Sequence, residues 1–256
     1  MEIPDLISVI LRWLHIVSGI LWIGMLYFFN FVYSPFLPSL EGDARKTVIT
    51  GLAPRTLYWF RWGAMYTWIS GLLLLGLVFY HGGLMFESDN LDGWGTGSIV
   101  MVAVSLLAFG PYNALAKSPL GKNLKAFGAV AFILIAAILY LMVSWAGFSF
   151  RAYNIHLGVM LGSIMAANVW MIIWPGQRKT FTAIKEGNPP DPAIVAAVGA
   201  RSRHNTYMSV PLIWTMINAH TVVPAANSWL YLVAVVAIGW ATVALLYKKA
   251  GKLKGV

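Results

Sequence analysis

The chain is expected to fold as an all-α, polytopic integral membrane bundle of about seven transmembrane helices, N-terminus outside and C-terminus inside. Three observations lead there. Of 256 residues, 59% are hydrophobic and only 11% charged, with a mean hydropathy of +0.72; a soluble domain of this size carries about twice that charge. The apolar residues gather in stretches close to the ~20 residues that a spanning helix needs. The basic residues alternate from one connection to the next, as they do when only one side of a membrane is cytoplasmic.

The first stretch, roughly 6–36, is long enough to tilt or to extend beyond the bilayer. It opens on MEIPDLISVI, which has no basic n-region and no small-residue cleavage site, so it is expected to stay as the first span. The remaining stretches run roughly 58–82, 96–116, 124–147, 152–174, 205–224 and 228–247. Pro211 is expected to kink the sixth. Segments 39–57 and 175–204 read as amphipathic loops with room for short helices, the second carrying the rigid turn GNPPDP. There is no internal repeat, and residues 1–256 are expected to form a single domain.

Charge sets the orientation. Arg45, Lys46, Arg55 and Arg61 lie around the first connection, Lys117, Lys122 and Lys125 around the third, and Arg178, Lys179, Lys185, Arg201 and Arg203 around the fifth. The tail carries Lys248, Lys249, Lys252 and Lys254. The second connection holds Glu87, Asp89 and Asp92 and nothing basic. All 18 basic residues except Arg12 and Arg151 therefore fall on one side, which the positive-inside rule makes the cytoplasm. The formal charge of +9 does not point to nucleic acid, because these residues are scattered between apolar spans and form no solvated basic patch. The absence of cysteine excludes disulfides, thiolate metal sites, iron–sulfur clusters and covalently attached haem.

The histidines carry the functional signal. An imidazole inside a spanning helix is rare and costly, and marks a site by default. In LRWLHIVSGILWIG, Arg12, His15, Gly19 and Trp22 follow one another along one helical face. That face offers a cation, a ligand, room for a flat cofactor and an aromatic wall. His81, His156 and His220 lie near the outer ends of other spans, and His204 alone lies at a cytoplasmic helix mouth. The two stray arginines, Arg12 and Arg151, fall at the same outer level. Facing imidazoles, nearby cations, small residues and aromatics are what a non-covalent b-type haem needs, with His15, His156 and His220 as the foremost iron ligands and His81 behind them. The plainer reading treats His81 and His204 as interfacial polar groups and the Gly158, Gly162, Ala166 ridge as helix packing. Ser209, Thr215 and Asn218 either line a small-molecule pocket or hold helices together.

No phosphate-binding loop, zinc-protease helix or nucleophile triad is present. Span interiors carry no carboxylate, which speaks against a proton relay of the pump type. A copper or zinc site built from the same histidines is one alternative. A non-catalytic accessory or anchor subunit of a respiratory or dehydrogenase assembly is another.

The segments LRWLHIVSGILWIG, NIHLGVMLGSIMAANVWMIIWPGQRK, NPPDP and RSRHNTYMSVPLIWTMINAH resemble the membrane domain of the bacterial cytochrome-c-dependent urate hydroxylases, long described as the N-terminal urate oxidase domain. The first segment is also similar to the haem-b membrane protoporphyrinogen oxidases and to copper-resistance membrane proteins. The resemblance implies a redox membrane domain that oxidises a small substrate and passes electrons to a c-type cytochrome, and it puts His15, His156, His204 and His220 inside the matching motifs. Family members carry a fused cytochrome c with C-x-x-C-H, whereas this chain has no cysteine. The acceptor is therefore expected to be a separate c-type cytochrome or other redox subunit at the outer face of a bacterial inner membrane, with a quinol or a urate-like molecule as donor. The acidic connection at Glu87, Asp89 and Asp92 is a candidate docking surface for a basic partner. With only His204 on the inner side, electron transfer is expected to stay on the outer side.

Overall fold

A computed structural model describes residues 3–87, 93–218 and 228–253. His220, Asp89 and Asp92 lie outside the described residues. Every regular element described is helical, and no strand occurs among the described residues. α1 (Ile3–Tyr27) continues through a π-helical turn at Phe28–Tyr33 into α2 (Ser34–Phe36) and a 3-10 turn, Leu37–Ser39. α3 (Gly42–Thr47) leads through a second π turn (Val48–Leu52) into α4 (Ala53–Leu74), which ends in a third (Leu75–His81). α5 (Thr96–Leu107) and α6 (Phe109–Lys117) form a pair bent by 52°. α7 (Leu124–Ser144) and α8 (Phe150–Asn168) follow; a fourth π turn, Val169–Ile173, joins α8 to α9 (Trp174–Lys185). α10 (Pro192–Asn218) and α11 (Trp229–Ala250) complete the chain.

Local chemistry explains the boundaries. The Asn123 side chain accepts from the backbone N–H groups of Lys125 and Ala126, both at 3.1 Å, and so caps α7. Ser149 caps α8 by accepting from Ala152 N–H at 3.2 Å. Asp191 accepts from Ala193 N–H at 2.8 Å, and Pro192 occupies the first turn of α10, where its missing N–H costs nothing. Gly187, at φ +81°, stops α9 in the left-handed conformation usual at a helix C-terminus.

Among the described residues, five continuous helical stretches are long and apolar enough to cross a membrane: Asp5–Ser39, Gly42–His81, Leu124–Ser144, Phe150–Lys185 and Trp229–Ala250; the bent α5–α6 pair raises this to six. The sixth stretch expected from the sequence, 205–224, falls partly in α10 and ends beyond the described residues. The two segments read as amphipathic loops are largely helical. Residues 42–52 wind directly into α4, and 175–204 is the end of α9, a short turn and the start of α10.

The chain divides into two compact units. One comprises Met1–Leu72, Met165–Tyr207 and Thr242–Val256. In it α1 meets α4 closely at Gly63, where a Cβ would come within 3.0 Å of the Trp22 backbone nitrogen. Buried amides tie α8 to α10: Asn168 donates to Asn205 Oδ1 at 2.8 Å, and Asn205 donates to Met165 O at 3.0 Å. Asn30 donates to Ser202 Oγ at 2.8 Å and accepts from Tyr247 Oη at 2.8 Å, linking α10 and α11 through the first π turn. The other unit comprises Leu73–Ile164 and Met208–Ala241. Here Gly158 lies against α10 so closely that a Cβ would overlap Thr215 Oγ1. Gly239 of α11 faces Pro211, whose Cδ would stand 3.0 Å from an added Cβ.

Candidate functional site

His15 lies on α1, half-buried, with its ring against Gly71. Its Nδ1 is 2.9 Å from Thr67 O and 3.2 Å from Ser70 Oγ. A carbonyl only accepts, so Nδ1 carries the proton. Ser70 agrees, because its own hydroxyl donates to Tyr66 O at 2.6 Å and leaves only its lone pairs for the ring. The tautomer is thereby set, and the Nε2 lone pair remains available.

His156 on α8 reaches the same state by a different route. It is fully buried, and its Nδ1–H donates to Ala152 O one turn earlier, at 2.7 Å. Nε2 accepts from Tyr80 Oη at 3.1 Å. Aromatic rings enclose the imidazole: Phe148 at 4.9 Å and Tyr80 at 5.9 Å between centroids, with Trp94 packed edge-on to Tyr80 and Phe86 edge-on to Trp94. The neighbouring loop is fixed by Ser149, whose hydroxyl donates to Leu84 O at 2.8 Å and whose N–H donates to Met85 O at 2.9 Å. Two residues before His156 in the helix, Asn154 donates to Thr215 O at 2.8 Å, and its buried Oδ1 has no hydrogen-bond partner.

The other expected site residues fall as follows. Arg12 is exposed, and its Nε donates to Ser8 Oγ at 3.3 Å on its own helix. Trp22 is buried, and its indole N–H has no acceptor. Arg151 and His81 are both exposed, at the start of α8 and at the end of the third π turn. His204 is buried; burial and the charges of Arg201 and Arg203 push its pKa down to about 4, so it is neutral at ordinary pH. Among the described residues no three His, Cys, Asp or Glu side chains converge on a possible metal position.

Tyr80 was not legible from the sequence as a partner of His156, 76 residues away. It stands beside His81 in VFYHGG, where the histidine draws the eye. Thr67 and Ser70 were equally hidden, because their role comes from α4 crossing α1.

A family profile described as urate oxidase N-terminal matches residues 43–254. The match takes in His81, Arg151, His156, His204 and His220, and begins after α1 with its Arg12, His15 and Trp22. No curated protein and no solved structure matches the chain. Helices fit to cross a membrane and a profile match over most of the chain lead to one identification: this protein belongs to the urate oxidase N-terminal family and is a urate hydroxylase-related membrane domain.

Proposed function

We propose that the protein is a haem-b oxidoreductase or electron-transfer subunit of the bacterial inner membrane, which takes electrons from a small donor and hands them to a separate c-type cytochrome at the outer face. One observation carries this reading. Both His15 and His156 tie the Nδ1–H to a backbone carbonyl and keep Nε2 as the basic nitrogen. A carbonyl partner of this kind orients a ligating imidazole and raises its basicity. Each of these residues by itself fits the role of a haem axial ligand, which asks for a neutral, oriented imidazole and no thiolate. The buried indole N–H of Trp22, left without an acceptor, fits a polar group of a ligand near α1. Zinc asks for three or four converging protein ligands, and among the described residues no three His, Cys, Asp or Glu side chains converge.

Bound haem b would supply one-electron chemistry by cycling its iron between two oxidation states. The chain's own residues do the rest. Thr67 and Ser70 hold the His15 ring, and Ala152 O holds that of His156. Tyr80 occupies the basic nitrogen of His156 and must turn away before that nitrogen can bind a metal. Phe148, Phe86 and Trp94 keep water from it. Arg12 and Arg151, both exposed, are suited to acidic groups of a cofactor or substrate. Urate-like donors agree with the family.

The test is a visible spectrum and a pyridine haemochrome assay on protein purified in mild detergent. A b-type spectrum, with haem extractable by acid–acetone, is expected. Folded protein devoid of haem when produced with haem supply would overturn the proposal, and copper or zinc in its place would favour a metal-site protein.

A further inference from the structure

Arg61 is a half-buried cation with no carboxylate in ion-pair contact among the described residues. Its Nε is buried without a hydrogen-bond partner. Aromatic rings surround it instead: the guanidinium carbon stands 4.3 Å from the Trp174 ring centroid, 5.6 Å from Tyr58, 5.8 Å from Trp170 and 5.9 Å from Trp62. The Trp170 indole donates to Arg61 O at 3.0 Å and fixes α4 against the π turn that carries it. A second guanidinium, that of the exposed Arg178, stands 5.6 Å from the same Trp174 ring. Two like charges are thus held within about 10 Å of each other, roughly one Debye length, beside one indole. Ring faces attract each cation without cancelling its charge.

We propose that Arg61, Arg178 and Trp174 form a binding site for the phosphate of an anionic phospholipid. The site sits among exposed apolar side chains, Tyr58, Trp59 and Met171, each on a stretch fit to cross a membrane. An interfacial aromatic cluster of this kind meets lipid at headgroup depth. Lys179 and Arg55, both exposed, add positive charge nearby in sequence. The positive-inside assignment puts this end on the cytoplasmic leaflet, where basic sites between helices take anionic headgroups. A phosphate between the guanidiniums relieves their mutual repulsion and accepts hydrogen bonds from both. The proposal is independent of haem binding.

The test titrates detergent-purified, full-length protein with short-chain phosphatidylglycerol, phosphatidylcholine or inorganic phosphate, read by native mass spectrometry and thermal shift. Phosphatidylglycerol is expected to bind and to raise the melting temperature, with phosphatidylcholine and inorganic phosphate far weaker. Arg178→Gln, at an exposed position that leaves the fold intact, is expected to weaken phosphatidylglycerol binding about fivefold. Lys185→Gln, at another exposed cation, is expected to leave it unchanged. Equal binding of the two lipids, equal effects of the two substitutions, or full competition by millimolar inorganic phosphate would each overturn the proposal. Should Arg61→Gln fold poorly, Arg178→Gln alone decides.

Discussion

Gly71 lies flat against the His15 imidazole: a Cβ at position 71 would stand 2.9 Å from Cε1 and 3.3 Å from Nδ1. No side chain larger than hydrogen leaves that ring where Thr67 O and Ser70 Oγ hold it. Gly71→Ala is therefore expected to push the ring out of its hydrogen bonds and to destabilise the protein by about 1–3 kcal/mol. The melting temperature in detergent should fall, and, under the haem binding proposed above, the spectrum of the variant should shift or disappear. An unchanged melting temperature and spectrum would show that the ring relocates freely.

Tyr80 and His156 give a sharper separation of structure from ligation. Tyr80→Phe removes the hydroxyl on Nε2 and is expected to cost about 1 kcal/mol in the haem-free protein. It should retain haem at least as well as the parent, because the basic nitrogen is freed. His156→Ala should lose haem or turn it high-spin. Loss of haem in Tyr80→Phe to the same extent would assign the tyrosine itself to the cofactor and revise the ligand set.

The small-residue ridge of α8 differs from step to step. An added Cβ at Gly158 overlaps Thr215 Oγ1 and comes within 2.9 Å of Met216 Cε, whereas at Gly162 the nearest atom, Leu212 Cδ1, is at 3.7 Å. Gly158→Ala should cost about 1–3 kcal/mol. Gly162→Ala should be neutral or stabilising by about 0.5–1 kcal/mol, since alanine is the better helix former. Thermal denaturation of the pair checks this, and equal effects would refute the close α8–α10 contact.

The Asn168–Asn205 pair is buried, and its amides bridge two helices. Asn205→Ala removes the acceptor of Asn168 Nδ2 and the donor to Met165 O, with an expected loss of about 1–3 kcal/mol. A variant within a few tenths of a kcal/mol of the parent would mean that other partners fully replace the lost bonds.

Class and most spans were legible in the sequence because composition and length state them directly. The continuous stretches 5–39, 124–144, 150–185 and 229–250 coincide to within about three residues with, or contain, the runs expected from hydropathy. The helicity of 42–52 and 192–204 was legible only as short helices within amphipathic loops, because polar helices resemble loops when only composition speaks. For the site, His15 and His156 stood out as imidazoles in apolar runs. Their partners did not, since Thr67, Ser70 and Tyr80 meet them only through tertiary crossings. Arg61 read as one more cytoplasmic charge for the same reason: Trp170 and Trp174 come to it from more than 100 positions away.

The wide turn at Val169–Ile173 sets the angular phase of everything after it. Each residue of an α-helix turns the chain by about 100°. A π turn fits one extra residue into nearly the rotation of an α turn, so deleting one residue there would let α8 and α9 join as an unbroken α-helix with Trp174 and Arg178 still turned toward Arg61, whereas inserting one would swing both away by about that angle. Relatives that keep the arginine–indole contact should therefore tolerate loss of one residue between Asn168 and Trp174 while rejecting a single-residue insertion.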